Sequence, residues 1–389
     1  MHTTVETTNQ YIANTYARTP LALTHGKGSL LYDEVGKEYI DFGSGIAVNV
    51  FGVADPEWEK AVCEQAGKLQ HCSNYYYTQP QARLAELLCE KSGLKAVFFC
   101  NSGAEANECA IKAARKYSND KYGAGRHRII TLYNSFHGRT MATLSATGQD
   151  ALHVHFAPFL EGFVHVPAND VSAVQQEVEK GGVCAVMMEM VQGEGGVQPL
   201  ADDYVQAVAK LCREQDILLI ADEVQCGNGR TGKYFAYMHH PGVEPDIVST
   251  AKALAGGLPM GATLFGPRTQ HVLTPGTHGS TYGGNPVCAA AGVSIVSRID
   301  EALLQQVTEK GRHLRQRLEG AKGVKSVAGL GLMIGVDTDR KVQDIIAECR
   351  DKGLIILSAK EKVRLLPALN IPMELLDRGI DILLEVIGK

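Results

Sequence analysis

Three short segments carry residues whose types and spacing could do chemistry. Asn101-Ser102-Gly103-Ala104-Glu105 is a small-residue turn between an apolar run at 96–100 and a helical pattern that puts Ala106, Cys109, Ala110, Ala113 and Tyr117 on one face. Such a turn directs unpaired backbone N–H groups and the positive end of a helix dipole outward, which suits an anion such as phosphate; a strand-to-helix turn with no ligand reads the same. The apolar run Ile217-Leu218-Leu219-Ile220-Ala221 ends in Asp222. Ligands of open α/β sheets collect beyond the carboxyl ends of the strands, although an aspartate there also serves to cap a helix. Lys252 lies among small and apolar residues, Ser249-Thr250-Ala251 before it and Ala253-Leu254-Ala255-Gly256-Gly257 after. Lysine is rarely buried without a purpose, and desolvation favours the neutral amine, the nucleophile that forms a Schiff base with an aldehyde. A lysine that snorkels to solvent is the plainer alternative.

A phosphate cradle, a carboxylate and an amine nucleophile are together the parts that pyridoxal phosphate requires: it brings a phosphate, a pyridine nitrogen and an aldehyde. Asp222 near that nitrogen would favour its protonated form, and the ring would then withdraw electrons from a neighbouring carbanion.

The elements that must position these residues follow from periodicity. Apolar runs at 96–100, 128–133, 163–166, 183–190, 217–221, 247–250 and 261–265 alternate with helical patterns, as expected of a parallel sheet with helices on both faces. The runs at 183 and 217 are nearly continuous in apolar residues, which suits strands covered on both sides. Outside this core, 28–42 reads as a hairpin, 285–318 as one long helix, 331–336 and 363–366 as strands, and 340–352 as a helix. The expected division is an N-terminal segment, 1–50, joining a small C-terminal domain, 286–389, with a large domain at 51–285 and a cleft between the two parts.

Bulk properties exclude several classes. A chain of 389 residues is longer than the usual domain. A net charge of -5 gives no broad basic surface for nucleic acid. The ten cysteines include no C-x-x-C pair, which points to buried thiols in a reducing cytoplasm and away from a metal site. No apolar run is long enough for a membrane span, and the first ten residues are polar, unlike a signal peptide. No G-x-G-x-x-G of a nicotinamide-binding unit occurs after an early strand.

Six ordered motifs make the chain similar to the class III, or ω-amino-acid, aminotransferases: Asn-Ser-Gly-Ala-Glu-Ala-Asn-Glu at 101–108, Phe-His-Gly-Arg-Thr at 136–140, Gln-Gly-Glu-Gly-Gly at 192–196, Ala-Asp-Glu-Val-Gln at 221–225, Gly-Arg-Thr-Gly at 229–232, and Lys252 with its glycines. The stretch 136–149 most resembles the acetylornithine aminotransferase branch. The resemblance implies pyridoxal-phosphate fold type I, an α/β fold with a mostly parallel central sheet and a smaller α+β domain. It implies that Ser102, Gly103 and Ala104 hold the phosphate, that Phe136 stacks on the ring, that Asp222 meets the ring nitrogen, and that Gln225 meets the phenolic oxygen. Ser280 and Thr281 would reach the phosphate of a neighbouring subunit, which implies a homodimer. Arg139 and Arg364 would bind substrate carboxylates, with Glu194 covering Arg364 when a donor amine must approach. Lys252 would first hold the cofactor and then carry a proton.

The implied reaction moves the terminal amino group of N2-acetylornithine to 2-oxoglutarate, as in arginine biosynthesis. Ornithine, succinylornithine and 4-aminobutyrate are alternative donors, the glutamate semialdehyde aminomutase reaction is a related one, and a non-catalytic binding protein on the same fold is a remote alternative. Gly52-Val53 stands where relatives often carry a histidine after the glycine, and Pro367-Ala368 replaces a common double proline. Both departures bear on the pocket rim. The remaining histidines, including His153 and His155, read as structural or surface groups.

Overall fold

The computed structural model describes residues 3–389. Seven strands form the central sheet in the order Ala96–Cys100, Gly261–Phe265, Ile247–Thr250, Leu218–Asp222, Val183–Met188, Arg128–Leu132, Phe163–Val166. Every residue of Val183–Met188 and Leu218–Asp222 is buried, because helices cover both faces of the sheet. One of them, Asp202–Glu214, buries Tyr204, Val205, Val208, Ala209 and Cys212, a spacing that lines a single helical face.

Six strands run the same way and one does not. Gly261–Phe265 is antiparallel to both of its neighbours, a departure from the parallel arrangement that alternation alone suggests. The reason is length: a parallel crossover needs a dozen or more residues, and the connection from Thr250 to Gly261 instead holds the short 3-10 turn Lys252–Ala255. Lys252 therefore sits in a tight reversal at the carboxyl end of a buried strand.

The expected hairpin forms from Leu30–Asp33 and Glu38–Asp41. Leu354–Ile355 pairs in parallel with Glu38–Asp41, so the N-terminal strands share a sheet with the C-terminal part. A second four-stranded sheet contains Val324–Leu330, Met333–Thr338, Lys362–Leu365 and Leu357–Ala359. The single long helix expected at 285–318 is instead two, Pro286–Val296 and Glu301–Leu318. Asp300 is the cause of the break, since its carboxylate accepts the Leu303 N–H at 2.8 Å and starts a new helix. Among the described residues, no helix is long and apolar enough to cross a membrane, and no group of His, Cys, Asp or Glu is placed to hold a metal ion.

Candidate active site

A cavity of about 420 Å³ opens at the carboxyl ends of the central strands, with Gly103, Phe136, Arg139, Asp222, Gln225 and Lys252 on its walls. The sheet delivers these groups together. Asp222 is the last residue of its strand, paired across from Ser249, and the next strand ends at Thr250, two residues before Lys252. Lys252 adopts a left-handed backbone, φ +47°, a conformation that costs a non-glycine residue energy and is found where structure holds a functional group in place. Its side chain is enclosed by protein but keeps part of its surface toward the cavity. Burial pushes the amine below its ordinary pKa, against the opposing fields of Asp222, Glu194 and Glu189.

Asp222 is buried and fully engaged along one side. Its Oδ2 accepts from Asn107 Nδ2 and His137 Nδ1, each at 2.7 Å, and its Oδ1 accepts the Val224 N–H at 3.0 Å. A carboxylate offers about four acceptor positions, so one remains for a further donor. Helix Gly103–Tyr122 begins at the cavity, capped by Ser102, whose Oγ accepts the Glu105 N–H at 3.1 Å. The Gly103 and Ala104 N–H groups belong to the first turn, where no intrahelical acceptor exists. Gly103 cannot be replaced cheaply, because a Cβ there would lie 2.6 Å from Val224 Cγ1.

Arg139 is exposed at the rim, its guanidinium 5.6 Å from the centre of the Phe136 ring. Glu194 and Arg364 lie off the cavity wall and form an ion pair with each other. Burial opposes the Glu194 charge, but the Arg364 field and the hydrogen bonds from Arg364 and Gln225 outweigh it and hold the carboxyl below its ordinary value. Ser280 and Thr281 do not reach the cavity of their own chain. Ser280 Oγ instead accepts from Asn101 Nδ2 at 3.1 Å and from the Gly283 N–H at 3.0 Å, while Thr281 is exposed.

Three residues of the site were not singled out by sequence reasoning. Glu189 is buried on the cavity wall and accepts the N–H groups of Phe136 at 2.9 Å and Gly193 at 3.1 Å. The available signal was a charged residue between Met188 and Met190 at the end of an otherwise apolar run. His137 and Asn107 orient Asp222, and both stand inside motifs whose other residues drew attention. His137 is thus set apart from His153, which bonds the Leu144 carbonyl at 2.8 Å, and from the exposed His155.

Known proteins share this architecture and sequence. An acetylornithine aminotransferase of Haemophilus ducreyi is 52% identical over 97% of both chains. Another, from Methanocaldococcus jannaschii, is 44% identical, covering 98% of this chain and 97% of its own. The crystal structure of N-acetylornithine aminotransferase from Stenotrophomonas maltophilia superposes with a TM-score of 0.85 at 35% identity, over 99% of this chain and 98% of that one. An ornithine aminotransferase of Toxoplasma gondii, described with pyridoxal phosphate at its active site, gives a TM-score of 0.92 at 30% identity over 98% and 93% of the two chains. The class-III aminotransferase model matches residues 11–387. Ordered motifs, sheet topology and cavity walls converge, and the chain belongs to the class-III aminotransferase family.

Proposed function

We propose that this transaminase moves the terminal amino group of N2-acetylornithine to 2-oxoglutarate, giving N-acetylglutamate semialdehyde and glutamate, with pyridoxal phosphate joined to Lys252. The observation that carries the reading is the buried amine of Lys252 facing the same cavity as Asp222 and the start of helix Gly103–Tyr122. The residues fit the cofactor: a desolvated amine for its aldehyde, a spare acceptor position on Asp222 for its ring nitrogen, and free first-turn N–H groups for its phosphate. When bound, pyridoxal phosphate supplies an aldehyde and an electron-withdrawing ring.

The chain's own residues do the rest. Asn107 and His137 hold Asp222 in one orientation. Phe136 forms a flat wall whose backbone is tied to Glu189. Lys252, whose amine would hold the cofactor's aldehyde, would also serve, when free, to carry a proton within the cavity. Arg139 meets a side-chain carboxylate at the rim. Arg364 takes the α-carboxylate of glutamate once Glu194 leaves it, and Glu194 covers that cation while the acylated donor is bound. The existing ion pair between Glu194 and Arg364 supports this double use.

The named relatives favour acetylornithine as donor. The positions of half-buried Ser280 and exposed Thr281, away from their own cavity, support a homodimer in which each subunit completes the other's site. Ten unpaired cysteines support a cytoplasmic location, and the domain division at residues 50 and 285 fits the separate sheets.

The test has two parts. Purified protein is expected to be yellow and to lose that absorbance on addition of N2-acetylornithine, and paired assays with 2-oxoglutarate should rank acetylornithine above succinylornithine, ornithine and 4-aminobutyrate. Lys252→Ala should remove the visible band and reduce turnover by at least about 10³-fold, with an unchanged circular dichroism spectrum; normal turnover in that variant refutes the assignment.

A further inference from the structure

The Gly229-Arg230-Thr231-Gly232 motif lies off the cavity wall, yet Arg230 is the largest of the fully buried side chains among the described residues. Its hydrogen bonds go to backbone and not to a carboxylate. Nη1 donates to the carbonyls of Leu332 at 3.0 Å and Pro367 at 2.5 Å, while Nε and Nη2 have no hydrogen-bond partner. Burial pushes the guanidinium below its ordinary pKa, with the field of the buried Asp41 opposing. A desolvated cation so thinly compensated is destabilising in itself, which directs attention to what the two carbonyls belong to.

Both stand at the end of one strand ladder. Met333–Thr338 and Lys362–Leu365 are antiparallel, with Ile334 opposite Leu365 and Gly335 opposite Arg364. Continuing that register by two residues brings Leu332 opposite Pro367, and proline has no N–H with which to extend a ladder. Arg230 closes it instead: its guanidinium donates to both terminal carbonyls, and its own carbonyl accepts the Leu332 N–H at 3.0 Å. The approach is close because residue 331 is glycine; a Cβ there would lie 2.5 Å from the Thr231 carbonyl carbon. Past the ladder the chain is held from other sides. The Phe42 carbonyl accepts the Leu366 N–H at 2.7 Å, and the buried Lys310 donates through Nζ to the Leu369 carbonyl at 3.1 Å.

Arg364 stands within this ladder, three residues before Pro367. We infer that Arg230 is a positioning residue for the dicarboxylate substrate: by pinning the ladder end to the large part of the molecule, it fixes the depth at which Arg364 is presented. It acts on recognition of a carboxylate at Arg364 and not on the chemistry at Lys252. The acylated donor, whose carboxylate meets Arg139 on a different element, is handled independently of it. The inference rests on the reading that Arg364 receives the α-carboxylate of glutamate.

The test follows the two half-reactions separately in the cofactor-loaded full chain, with glutarate, a dicarboxylate that has no amino or oxo group to react, as a binding probe. Arg230→Met removes the charge and both hydrogen bonds at similar length. It should lower kcat/KM for glutamate by about 10²-fold, the effect of displacing a substrate-binding group by an ångström, and weaken glutarate binding, read by calorimetry, by about tenfold. For N2-acetylornithine, kcat/KM should stay within about threefold of the parent, with the visible band unchanged. Arg230→Lys, whose nitrogen sits on a shorter side chain, should show the same split and serves if the methionine variant does not fold. Equal losses in both half-reactions, or none in either, overturn the inference, since a role in stability alone does not separate the two substrates. In an Arg364→Leu background, adding Arg230→Met should change kcat/KM for glutamate by no more than about twofold; a further loss of full size overturns it as well. Failure of the underlying reading looks different: Arg364→Leu by itself would keep parental glutarate binding and parental kcat/KM for glutamate.

Discussion

Two buried glutamates flank Asp222 and use the same device to different ends. Glu189 accepts two backbone N–H groups, from Phe136 and Gly193, and Glu223 accepts two, from Ala236 at 2.8 Å and Tyr237 at 2.8 Å. Burial pushes both carboxyls above their ordinary values, and the nearby Asp222 charge pushes the same way. Glu189, however, stands on the cavity wall, while Glu223 does not. The backbone that Glu189 holds carries the Phe136 ring on the cavity wall and leads directly into Glu194; the backbone that Glu223 holds is a 3-10 turn, Ala236–His239, outside the site. A raised carboxyl pKa beside a cavity-wall carboxylate is thus no sign of catalysis by itself. What the carboxylate holds in place decides its role.

Three measurements bear on this contrast. The largest effect is expected from Glu189→Gln, whose NH₂ would face one of the two backbone N–H groups it now accepts. Displacing Phe136 or the Gly193 turn by a fraction of an ångström should lower kcat/KM by about 10²-fold and weaken pyridoxal phosphate binding to the apo-protein, as read by a fluorescence titration. If both stay at parental values, the distinction between the two glutamates is lost. Glu223→Gln should cost about 1–3 kcal/mol of stability by leaving a buried donor unsatisfied, measured by urea unfolding, while kcat/KM of the folded fraction stays within about twofold of the parent. A large loss of activity there would place Glu223 in the site as well.

The smallest effect is a pH dependence. The Glu223 carboxyl is raised from 4.5 to about 7 in the folded chain. Between those values the folded chain keeps a proton that the unfolded chain releases, so the group stabilises the fold at low pH and that contribution fades as pH rises. The stability advantage of the parent over Glu223→Gln should therefore shrink across this window. An advantage that grows with pH would reverse the sign and contradict the raised value.

Much of the site was legible in the residues themselves. The strand ending at Asp222, the small-residue turn at Ser102, Gly103 and Ala104, and the lysine in an apolar setting are local signals, because periodicity, capping and desolvation act over a few neighbours. The boundaries of six of the seven central strands differ from the sequence reading by no more than one residue at either end, among them Ala96–Cys100 and Ile247–Thr250. Run 183–190 ends earlier than expected, at Met188, since Glu189 turns into the site.

Amino-acid order alone thus determined the alternating α/β pattern, the chemical character of the cavity and the family motifs. Only tertiary structure decided that Gly261–Phe265 runs backward through the sheet, that Glu189 binds the backbone of Phe136, and that Gln225 sits between Glu194 and Arg364. The physical reason is distance along the chain. Arg364 meets Glu194 across 170 residues and Gln225 across 139, and such pairs exist only once the C-terminal sheet has packed against the large one and removed the water that would otherwise solvate each charge separately.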